Sequence, residues 1–447
     1  MKDTQLQMKL PGVPLAKQGR EVDPRWDWTE ASVWTERMLA TLERGVKGGK
    51  WYSLIDKVWS QSNLTSAMEQ VCRNKGSAGV DGQSTEAFRR NSVTILPYIQ
   101  KQLQDGEYQP KPVKRQWIEK LGSKELRPLG IPTVRDRVVQ TALRNVIEPI
   151  FEHGFAEHSY GFRPGRGAKD ALRRVDQLLK SGKAWIVDAD LKGYFDSIPQ
   201  DQLMEALRHK ISDGMVLDLI QRFLRQGVME SAKKWTPTEQ GTPQGAVISP
   251  LLANIYLDPL DHLMASLGWD MVRYADDFVV MCASEEEARN TLEQIQQWVA
   301  SVGLVLHPTK TRIVDASQKG GFDFLGYHFE RGMRWPRKKS FDKLKEAIRE
   351  KTPRKSGKSM NQIVADVNRT LRGWYAYFKH SQKSAFGDTD SWIRGRLRAI
   401  LRRRNHLRGW IRMRDHKLWP NAYFTNLGLF SMATVRANES RPRRSNH

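Results

Sequence analysis

Two adjacent carboxylates, Asp276 and Asp277, stand between two short apolar runs that predict the strands of a hairpin. A hairpin turn can hold paired acids at a strand end without burying their charge. A third acid, Asp190, ends the segment 185–189, which predicts a buried strand. If these strands are neighbours in one sheet, the three carboxylates converge and can hold two divalent ions. Such ions activate an attacking hydroxyl and stabilise a departing pyrophosphate, so this pattern indicates metal-assisted phosphoryl transfer.

The three acids by themselves do not decide which carboxylates form the site, or whether they form one at all. Asp188 lies on the same strand face as Asp190, and Asp196 is close in sequence. Only the shape of the motif, a strand that runs into residues 190–196, favours Asp190. An Asp-Asp turn by itself is also common as a solvated surface turn. The surrounding segments must therefore distinguish a metal-binding site from a surface turn.

Two further segments offer groups that suit a nucleotide. The loop 241–245 (Gly-Thr-Pro-Gln-Gly) precedes a predicted helix; its glycines permit close backbone approach, and Gln244 offers both a donor and an acceptor. Lys310 lies on a turn after another predicted helix, where it can donate a proton to leaving pyrophosphate. Taken singly, each is more often an ordinary loop or a surface lysine.

The charge of the chain is unevenly distributed. The 447 residues carry a formal charge of +23, and residues 331–447 hold 30 of the 73 Lys and Arg but 8 of the 50 Asp and Glu. The first 330 residues are therefore nearly neutral. A basic last quarter with aromatic residues among its arginines predicts binding to a polyanion.

Other features of the composition exclude several classes of protein. No long uncharged apolar run is present, which excludes a membrane span, and the N-terminal residues lack the apolar core of a signal peptide. We therefore expect a cytoplasmic protein, in the bacterial cytoplasm or nucleoid. Cys72 and Cys282 are the only cysteines, which excludes a disulfide framework and a four-cysteine zinc site.

The elements that position these groups alternate between strands and helices as far as residue 330. The pattern predicts helices over 30–44, 64–72, 136–147, 248–267 and 284–303, a basic hairpin over 111–132 and a strand over 322–329. Ser284 and Glu287 form a predicted capping box. After Pro336 the pattern is helical to about residue 404, with breaks at 353–359 and at Gly387. An α/β core followed by an all-helical part is the predicted organisation.

Together these segments resemble reverse transcriptases, and among them the group II intron-encoded reverse transcriptase/maturases. The resemblance rests on blocks in the same order as in that family, at 79–82, 127–133, 159–166, 241–245, 249–254 and 274–277. Two positions depart from the family pattern: Glu119 replaces a proline before Lys120, and His307 replaces an asparagine before Lys310.

The resemblance implies roles for particular residues. Asp190, Asp276 and Asp277 would hold two Mg²⁺ ions, with Lys310 as a further catalytic residue. Lys120 and Arg127 would hold the incoming dNTP triphosphate, and Gln244 would brace the nucleotide. Phe195 would exclude a 2′-hydroxyl, with Tyr194 as the alternative gate.

The basic C-terminal part resembles the maturase region. Its predicted RNA-binding residues are Arg369, Arg372, Lys379, Arg394, Arg396, Arg398, Arg402, Arg403 and Arg404. Trp374 and Phe378, one helical turn apart, either contact RNA or form helix core. The chain lacks the cysteine-pair and His-Asn pattern of the endonuclease domain that some relatives carry, so we expect no second-strand cleavage.

The resemblance implies an α+β fold of the right-hand polymerase type, with an antiparallel palm sheet and an all-helical thumb/maturase domain. We expect an N-terminal extension (1–60), fingers (61–180), palm (181–335), thumb/maturase domain (336–405) and a basic DNA-binding segment (406–447). The expected partners are group II intron RNA, target DNA, an RNA template with a DNA primer, and dNTPs. Two alternatives remain: a domesticated reverse transcriptase in DNA repair or phage defence, and an RNA-binding splicing cofactor with an idle polymerase site.

Overall fold

The described part of the chain folds into three small sheets and the helices that cover them. The computed structural model describes residues 24–119, 126–230, 234–237, 240–407 and 413–439. The strands are β1 Val113–Glu119, β2 Leu126–Ile131, β3 Trp185–Asp190, β4 Val228–Glu230, β5 Lys234–Thr236, β6 Asp270–Tyr274, β7 Asp277–Cys282, β8 Arg312–Asp315, β9 Phe322–Phe324, β10 Tyr327–Glu330 and β11 Met333–Pro336.

Helices outnumber strands among the described residues. They are α1 Glu36–Arg44, α2 Ile55–Trp59, α3 Gln61–Arg73, α4 Thr85–Arg90, α5 Ser92–Gln104, α6 Val134–Glu152, α7 Ala168–Lys180, α8 Tyr194–Ser197, α9 Gln200–Arg208, α10 Gly214–Arg225, α11 Ser249–Ser266, α12 Glu285–Ser301, α13 Lys338–Lys351, α14 Met360–Phe378, α15 Ser384–Arg404, α16 Met413–Leu418, α17 Asn421–Asn426 and α18 Met432–Glu439.

The sheet that carries the predicted acids is antiparallel, with strand order β6-β7-β3-β8. Its side chains alternate between two cores, because successive residues of a strand point to opposite faces. Val187 and Val280 pack into the larger core beneath α11 and α12. Ile186 and Val279 pack on the other face, into a core formed with α7 and β9–β10. We call this four-stranded sheet the central sheet.

The predicted basic hairpin forms the start of a second sheet, with strand order β2-β1-β4-β5. β1 and β2 are antiparallel, whereas β1 and β4 run parallel through Val113 and Val228. The predicted hairpin turn, including Gly122, lies outside the described residues.

The C-terminal helices form a third core, in which Leu371 of α14 and Leu397 of α15 are fully buried. Phe378 of α14 instead enters the core on the β9–β10 side of the central sheet. Trp374 contacts Phe378, with ring centroids 4.6 Å apart, and lies partly buried between the two cores. Of the two interpretations for this pair, helix core is therefore the one that the structure supports.

Several predicted element boundaries are wrong. The first helix begins at Glu36, where Thr35 caps it, and not at Glu30. The predicted strand 322–329 is a hairpin, because Leu325 and Gly326 adopt positive φ between β9 and β10. The predicted break at Gly387 lies inside α15; the helices separate before it, between Phe378 and Ser384.

The predicted capping box of α12 forms only in part. The Ser284 hydroxyl accepts from the Glu287 N–H at 3.2 Å, as predicted. The Glu287 carboxylate, however, accepts from the Ala283 N–H rather than from that of Ser284. The Glu287 carboxylate therefore binds one residue earlier than predicted, where it still satisfies a backbone N–H just before the helix.

In the described ranges, no helix has both the length and the apolar character needed to cross a bilayer.

Candidate active site

The three predicted acids meet at one end of the central sheet. β6 and β7 are joined by the two-residue turn Ala275–Asp276, and Tyr274 pairs with Asp277. On the other side of β7, Asp277 pairs directly with Asp190 of β3. Directly paired residues of antiparallel strands project from the same face, so strand register alone places Asp190 beside Asp277.

The site is electrostatically strained by like charges. Burial first, and then the nearby charges of Asp188, Asp276 and Asp190, together raise the pKa of Asp277 to about 7. Burial also raises the pKa of Asp188, whose carboxylate accepts from Arg312 at 3.2 Å. Within the described ranges, no three His, Cys, Asp or Glu side chains are already gathered as a metal-binding cluster. The carboxylates are neighbours, but their side chains do not converge on a single point.

Lys310 reaches the same site from the segment that precedes β8. Its ammonium lies 2.5 Å from an Asp190 carboxylate oxygen, although its side chain is 60% exposed. The backbone holds this segment in place, because the His307 N–H donates to the Asp190 carbonyl at 2.7 Å. This hydrogen bond uses the backbone of His307 and so does not require an asparagine side chain at that position.

Phe195 and Gln244 lie on two segments that bind each other. The Thr242 N–H donates to the Phe195 carbonyl at 2.6 Å, and the Gln244 amide donates to Asp196 at 2.9 Å. The Gln244 carbonyl in turn accepts from the Gly130 N–H of β2 at 2.6 Å. The loop 241–245 thus joins α8 to the hairpin β1–β2, beside a cavity of about 290 Å³ that Gln244 lines.

The two candidate gate residues differ in their surroundings. Phe195 is largely buried, with 9% of its surface exposed. Tyr194 is buried too, and its hydroxyl donates to the Ala253 carbonyl at 2.6 Å. Tyr194 is therefore held in the core by its polar end, which leaves Phe195 as the stronger candidate.

The two predicted triphosphate ligands are only partly located. Arg127 lies in β2 opposite Ile118 of β1, and its side chain lies outside the described part of the structure. Lys120 lies outside the described residues altogether.

Exposure divides the predicted RNA-binding arginines. Arg398 and Arg402 are buried: Arg398 donates to the Trp419 carbonyl, and Arg402 donates to both Asp415 carboxylate oxygens at 2.8 Å. A buried, paired guanidinium cannot reach phosphate without breaking its pair. These two residues are therefore wrong as predicted RNA contacts.

Two more of these arginines are occupied by backbone carbonyls. Arg396 donates to the hydroxyl oxygen and to the carbonyl of Thr352. Arg404 donates to the carbonyls of Ser356 and Lys358. Both hold the loop between α13 and α14. The remaining predicted contacts, Arg369, Arg372, Lys379, Arg394 and Arg403, are exposed or partly exposed.

The loop that these arginines hold was missed as an RNA-binding candidate. Arg354, Lys355 and Lys358 are exposed on it. The signal was present in the sequence, since residues 351–358 contain four basic residues and no acid. The helical pattern alone predicts only a break at this loop.

A buried arginine beneath the turn was also missed. Arg273 of β6 is fully buried and donates to both carboxylate oxygens of Asp261, to the side-chain oxygen of Asn254 at 2.9 Å and to the Ala275 carbonyl at 3.0 Å. Burial by itself lowers the pKa of Arg273, but Asp261 outweighs it and raises the pKa above the ordinary value. The sequence does contain a signal for this residue, since Arg273 is a charged residue within an otherwise apolar predicted strand.

Gly161 packs directly against the same turn. Its carbonyl accepts from the Asn254 amide at 2.8 Å, and a Cβ at this position would lie 2.2 Å from the Ala275 nitrogen. The block 159–166 was predicted only as a family motif. Its glycine is required because the backbone of the turn occupies the space of a side chain.

Comparison with known proteins points to the same chemistry. Residues 114–329 match the family described as reverse transcriptase (RNA-dependent DNA polymerase). Residues 341–419 match the group II intron, maturase-specific domain.

Individual relatives match different shares of the chain. Group II intron-encoded protein LtrA of Lactococcus lactis subsp. cremoris is 39% identical over 203 residues, which cover 45% of this chain and 33% of LtrA. Protein YkfC of Escherichia coli (strain K12) is 33% identical over 343 residues, which cover 66% of this chain and 87% of YkfC. The match thus spans a third of LtrA but most of YkfC.

Among solved structures, a chain of the partial Cas6-RT-Cas1–Cas2 complex aligns with 56% of this chain and 41% of its own length. The sequence identity is 24% and the TM-score is 0.36.

Gly161→Ala should displace the turn that carries Asp276, because the added methyl overlaps backbone atoms that cannot rotate away. A displacement of about 1 Å costs a reaction of this kind roughly 100-fold in rate. We expect that loss in the steady-state rate of DNA synthesis on an RNA template. Gly167→Ala is the matched control, since its Cβ would meet only the Asp170 carboxylate at 3.9 Å. Equal rates for the two variants would contradict the packing argument.

Proposed function

The chain belongs to the family of group II intron reverse transcriptases and maturases, and from this premise we propose that it copies a group II intron RNA into DNA at a target site and assists the splicing of that RNA. The observation that carries the polymerase assignment is the pairing of Asp190 with Asp277, with Asp276 in the adjoining turn. Its substrates would be an RNA template with a DNA primer, dNTPs and target DNA.

We assign two Mg²⁺ ions to Asp190, Asp276 and Asp277. The residues fit this metal, because carboxylate oxygens are its preferred protein ligands and the mutual repulsion that raises the pKa of Asp277 is relieved by a cation. When bound, the ions would activate the primer hydroxyl and offset charge on the phosphates. Lys310, already at Asp190, is placed to give a proton to departing pyrophosphate.

The incoming nucleotide would lie between the acids and the loop 241–245. Gln244 is held by Asp196 and Gly130, so its position is fixed before the nucleotide arrives. Phe195, on the same hydrogen-bonded unit, would crowd a 2′-hydroxyl. Arg127 and Lys120 of the hairpin region are the proposed triphosphate ligands.

Intron RNA would bind the basic C-terminal quarter. The exposed members of the predicted set, Arg369, Arg372, Lys379, Arg394 and Arg403, remain the proposed contacts, and the loop of Arg354, Lys355 and Lys358 joins them. We retain the domain limits 1–60, 61–180, 181–335, 336–405 and 406–447 for N-terminal extension, fingers, palm, thumb/maturase domain and DNA-binding segment.

Two other roles are compatible with the same fold. A domesticated reverse transcriptase in repair or phage defence would keep the acids but lose its intron. A splicing cofactor with an idle polymerase site would have no need for the acids, and all three are retained. The DNA on either side of the gene distinguishes an intron-associated protein from a domesticated one, since a mobile intron surrounds its reading frame with the sequence of a catalytic RNA.

Asp276→Asn should abolish primer extension on an RNA template, because it removes one of three charges that hold the metal ions. Binding of intron RNA, measured by filter retention, should stay within about twofold, since the basic surface is unchanged. Asp201→Asn, an exposed acid on α9, is the matched control and should extend primers normally. Normal primer extension by Asp276→Asn would overturn the assignment of the polymerase site. A loss of intron RNA affinity in the same variant would overturn the separation of polymerase site and RNA-binding surface.

The Mg²⁺ requirement should depend on pH. The pKa of Asp277 in the folded protein is raised to about 7, so this carboxyl holds a proton below that pH and must release it to bind metal. The half-activating Mg²⁺ concentration should therefore rise up to about tenfold per pH unit below 7 and level off above 8. Titrations of primer extension at pH 6, 7 and 8 measure this, and saturating Mg²⁺ should restore the rate at pH 6. A half-activating concentration that stays constant would contradict the assignment of Asp277.

Phe195→Ala should admit ribonucleotides, because the ring that crowds the 2′-hydroxyl is lost. The measurement is the ratio of kcat/KM for a ribonucleotide to that for the matching dNTP. Tyr194→Phe, which removes only the hydroxyl bound to the Ala253 carbonyl, should leave the ratio unchanged. If the ratio does not rise in Phe195→Ala, sugar selection lies elsewhere.

A further inference from the structure

A polar cavity of about 290 Å³ lies where the N-terminal segment meets α3, α6 and the loop before α7. None of its lining residues belongs to the polymerase site or to the basic surface described above. The lining residues that matter here are Trp28, Gln70, Arg144, Glu148, Phe162 and Pro164.

The floor of the cavity presents a donor beside an acceptor. Arg144 and Glu148 lie one turn apart on α6, with the Arg144 Nε 3.5 Å from a Glu148 oxygen, and form an ion pair without hydrogen-bond geometry. The Arg144 Nε is buried and makes no hydrogen bond within the described part of the chain. Burial raises the pKa of Glu148 to about 7, against the opposing charge of Arg144. Both residues line the cavity and 34% of the Arg144 side chain is exposed, so its guanidinium can donate to a ligand there as well as face Glu148.

The walls of the cavity are aromatic, and one of them leads to the catalytic turn. Phe162 is 51% exposed and has a φ of +58°, which is rare for a bulky residue. Its neighbours hold it there, because the Gly161 carbonyl is bound to Asn254 and the buried Arg163 is paired with Glu152. The Phe162 ring also contacts the ring of Tyr274, with centroids 6.4 Å apart. Trp28 supplies a second aromatic surface.

We propose that this cavity binds one unpaired guanine base, stacked on Phe162 and Trp28 and recognised at its Watson–Crick edge by Arg144 and Glu148. Guanine O6 would accept from Arg144, while N1–H and the N2 amino group would donate to the Glu148 carboxylate. Unpaired bases are commonly recognised by aromatic stacking together with hydrogen bonds to this edge. The proposal rests on the proposed function as a nucleic-acid enzyme.

The other bases fit this donor and acceptor pair less well. Adenine and cytosine would each direct an amino group at the Arg144 guanidinium and a ring nitrogen acceptor at the Glu148 carboxylate. Uracil offers one matching acceptor and one matching N–H, but its second carbonyl would face the carboxylate. Guanine alone matches the acceptor, donor, donor order.

The chemistry is shared by a free guanine nucleotide and a guanine within an RNA strand. A base in a strand would be held beside Tyr274, the first residue of the catalytic turn motif, through Phe162. We favour a guanine within an RNA strand, because its binding here would hold that strand next to the proposed polymerase site.

The first experiment measures binding of GMP, AMP, CMP and UMP to the full chain by calorimetry at pH 8, where Glu148 is ionised, and in EDTA, which keeps metal out of the polymerase site. GMP should bind about tenfold more tightly than the others. E148Q should abolish that preference, because its amide N–H faces a guanine N–H, and F162A should weaken all four without changing their order. E205Q, on an exposed face of α9, is the control and should behave as the unaltered chain. Equal affinities for the four nucleotides, or a preference that survives E148Q, would overturn the proposal.

The second experiment uses two short RNA hairpins that differ only in a single bulged guanosine or adenosine. Preference for the guanosine hairpin, lost in E148Q, assigns the site to a strand, whereas a preference confined to GMP assigns it to the free nucleotide. E148Q should keep its melting temperature at pH 8, because the amide removes a carboxylate whose charge is disfavoured by burial. On a template whose single-stranded part contains no guanosine, it should also extend the primer normally, so that failure of this site is distinguishable from failure of the polymerase assignment.

Discussion

The turn that carries Asp276 depends on one buried charge. Arg273 lies inside β6 without exposure, and a guanidinium taken out of water is stable only when its hydrogen bonds are replaced. Asp261 supplies the opposite charge, Asn254 a further acceptor, and the Ala275 carbonyl a direct link to the turn. Asn254 also binds the Gly161 carbonyl, so the same network fixes the segment that packs against the turn. The acids are thereby positioned from the interior of the sheet rather than by contacts among themselves.

The two faces of the central sheet explain how the active site and the helical part are joined. Asp190 and Asp277 project from the face that bears Ile186 and Val279, because residues two apart in a strand share a face. That face packs on β9–β10, and Phe378 of α14 enters the same core. The helical part is therefore anchored on the side of the sheet from which the acids project.

Positive charge in the C-terminal quarter lies in two kinds of surroundings, internal pairs and exposed surface, that composition cannot separate. Arg402 is paired with Asp415 in the interior, and Arg404 holds the loop after α13 through backbone carbonyls. Their neighbour Arg403 is exposed. Three consecutive arginines on one helix thus face three directions, and net charge overstates the number available to phosphate. Two arginines of α15 also hold the loop on which Arg354, Lys355 and Lys358 are exposed.

Local pattern determined the elements that carry the chemistry. Apolar runs ending in Asp190 and flanking Asp276 and Asp277 predicted the strands β3, β6 and β7, and the order of the blocks predicted the family, because strand periodicity and turn residues act over a few positions. Tertiary structure decided what joins distant positions: the pairing of Asp190 with Asp277, the contact of Lys310 with Asp190, the fit of Gly161 under the turn, and the burial of Arg273, Arg398 and Arg402. A basic residue looks the same in sequence whether it faces solvent or an internal acid, since its partner lies far along the chain. Only the folded chain brings that partner within reach.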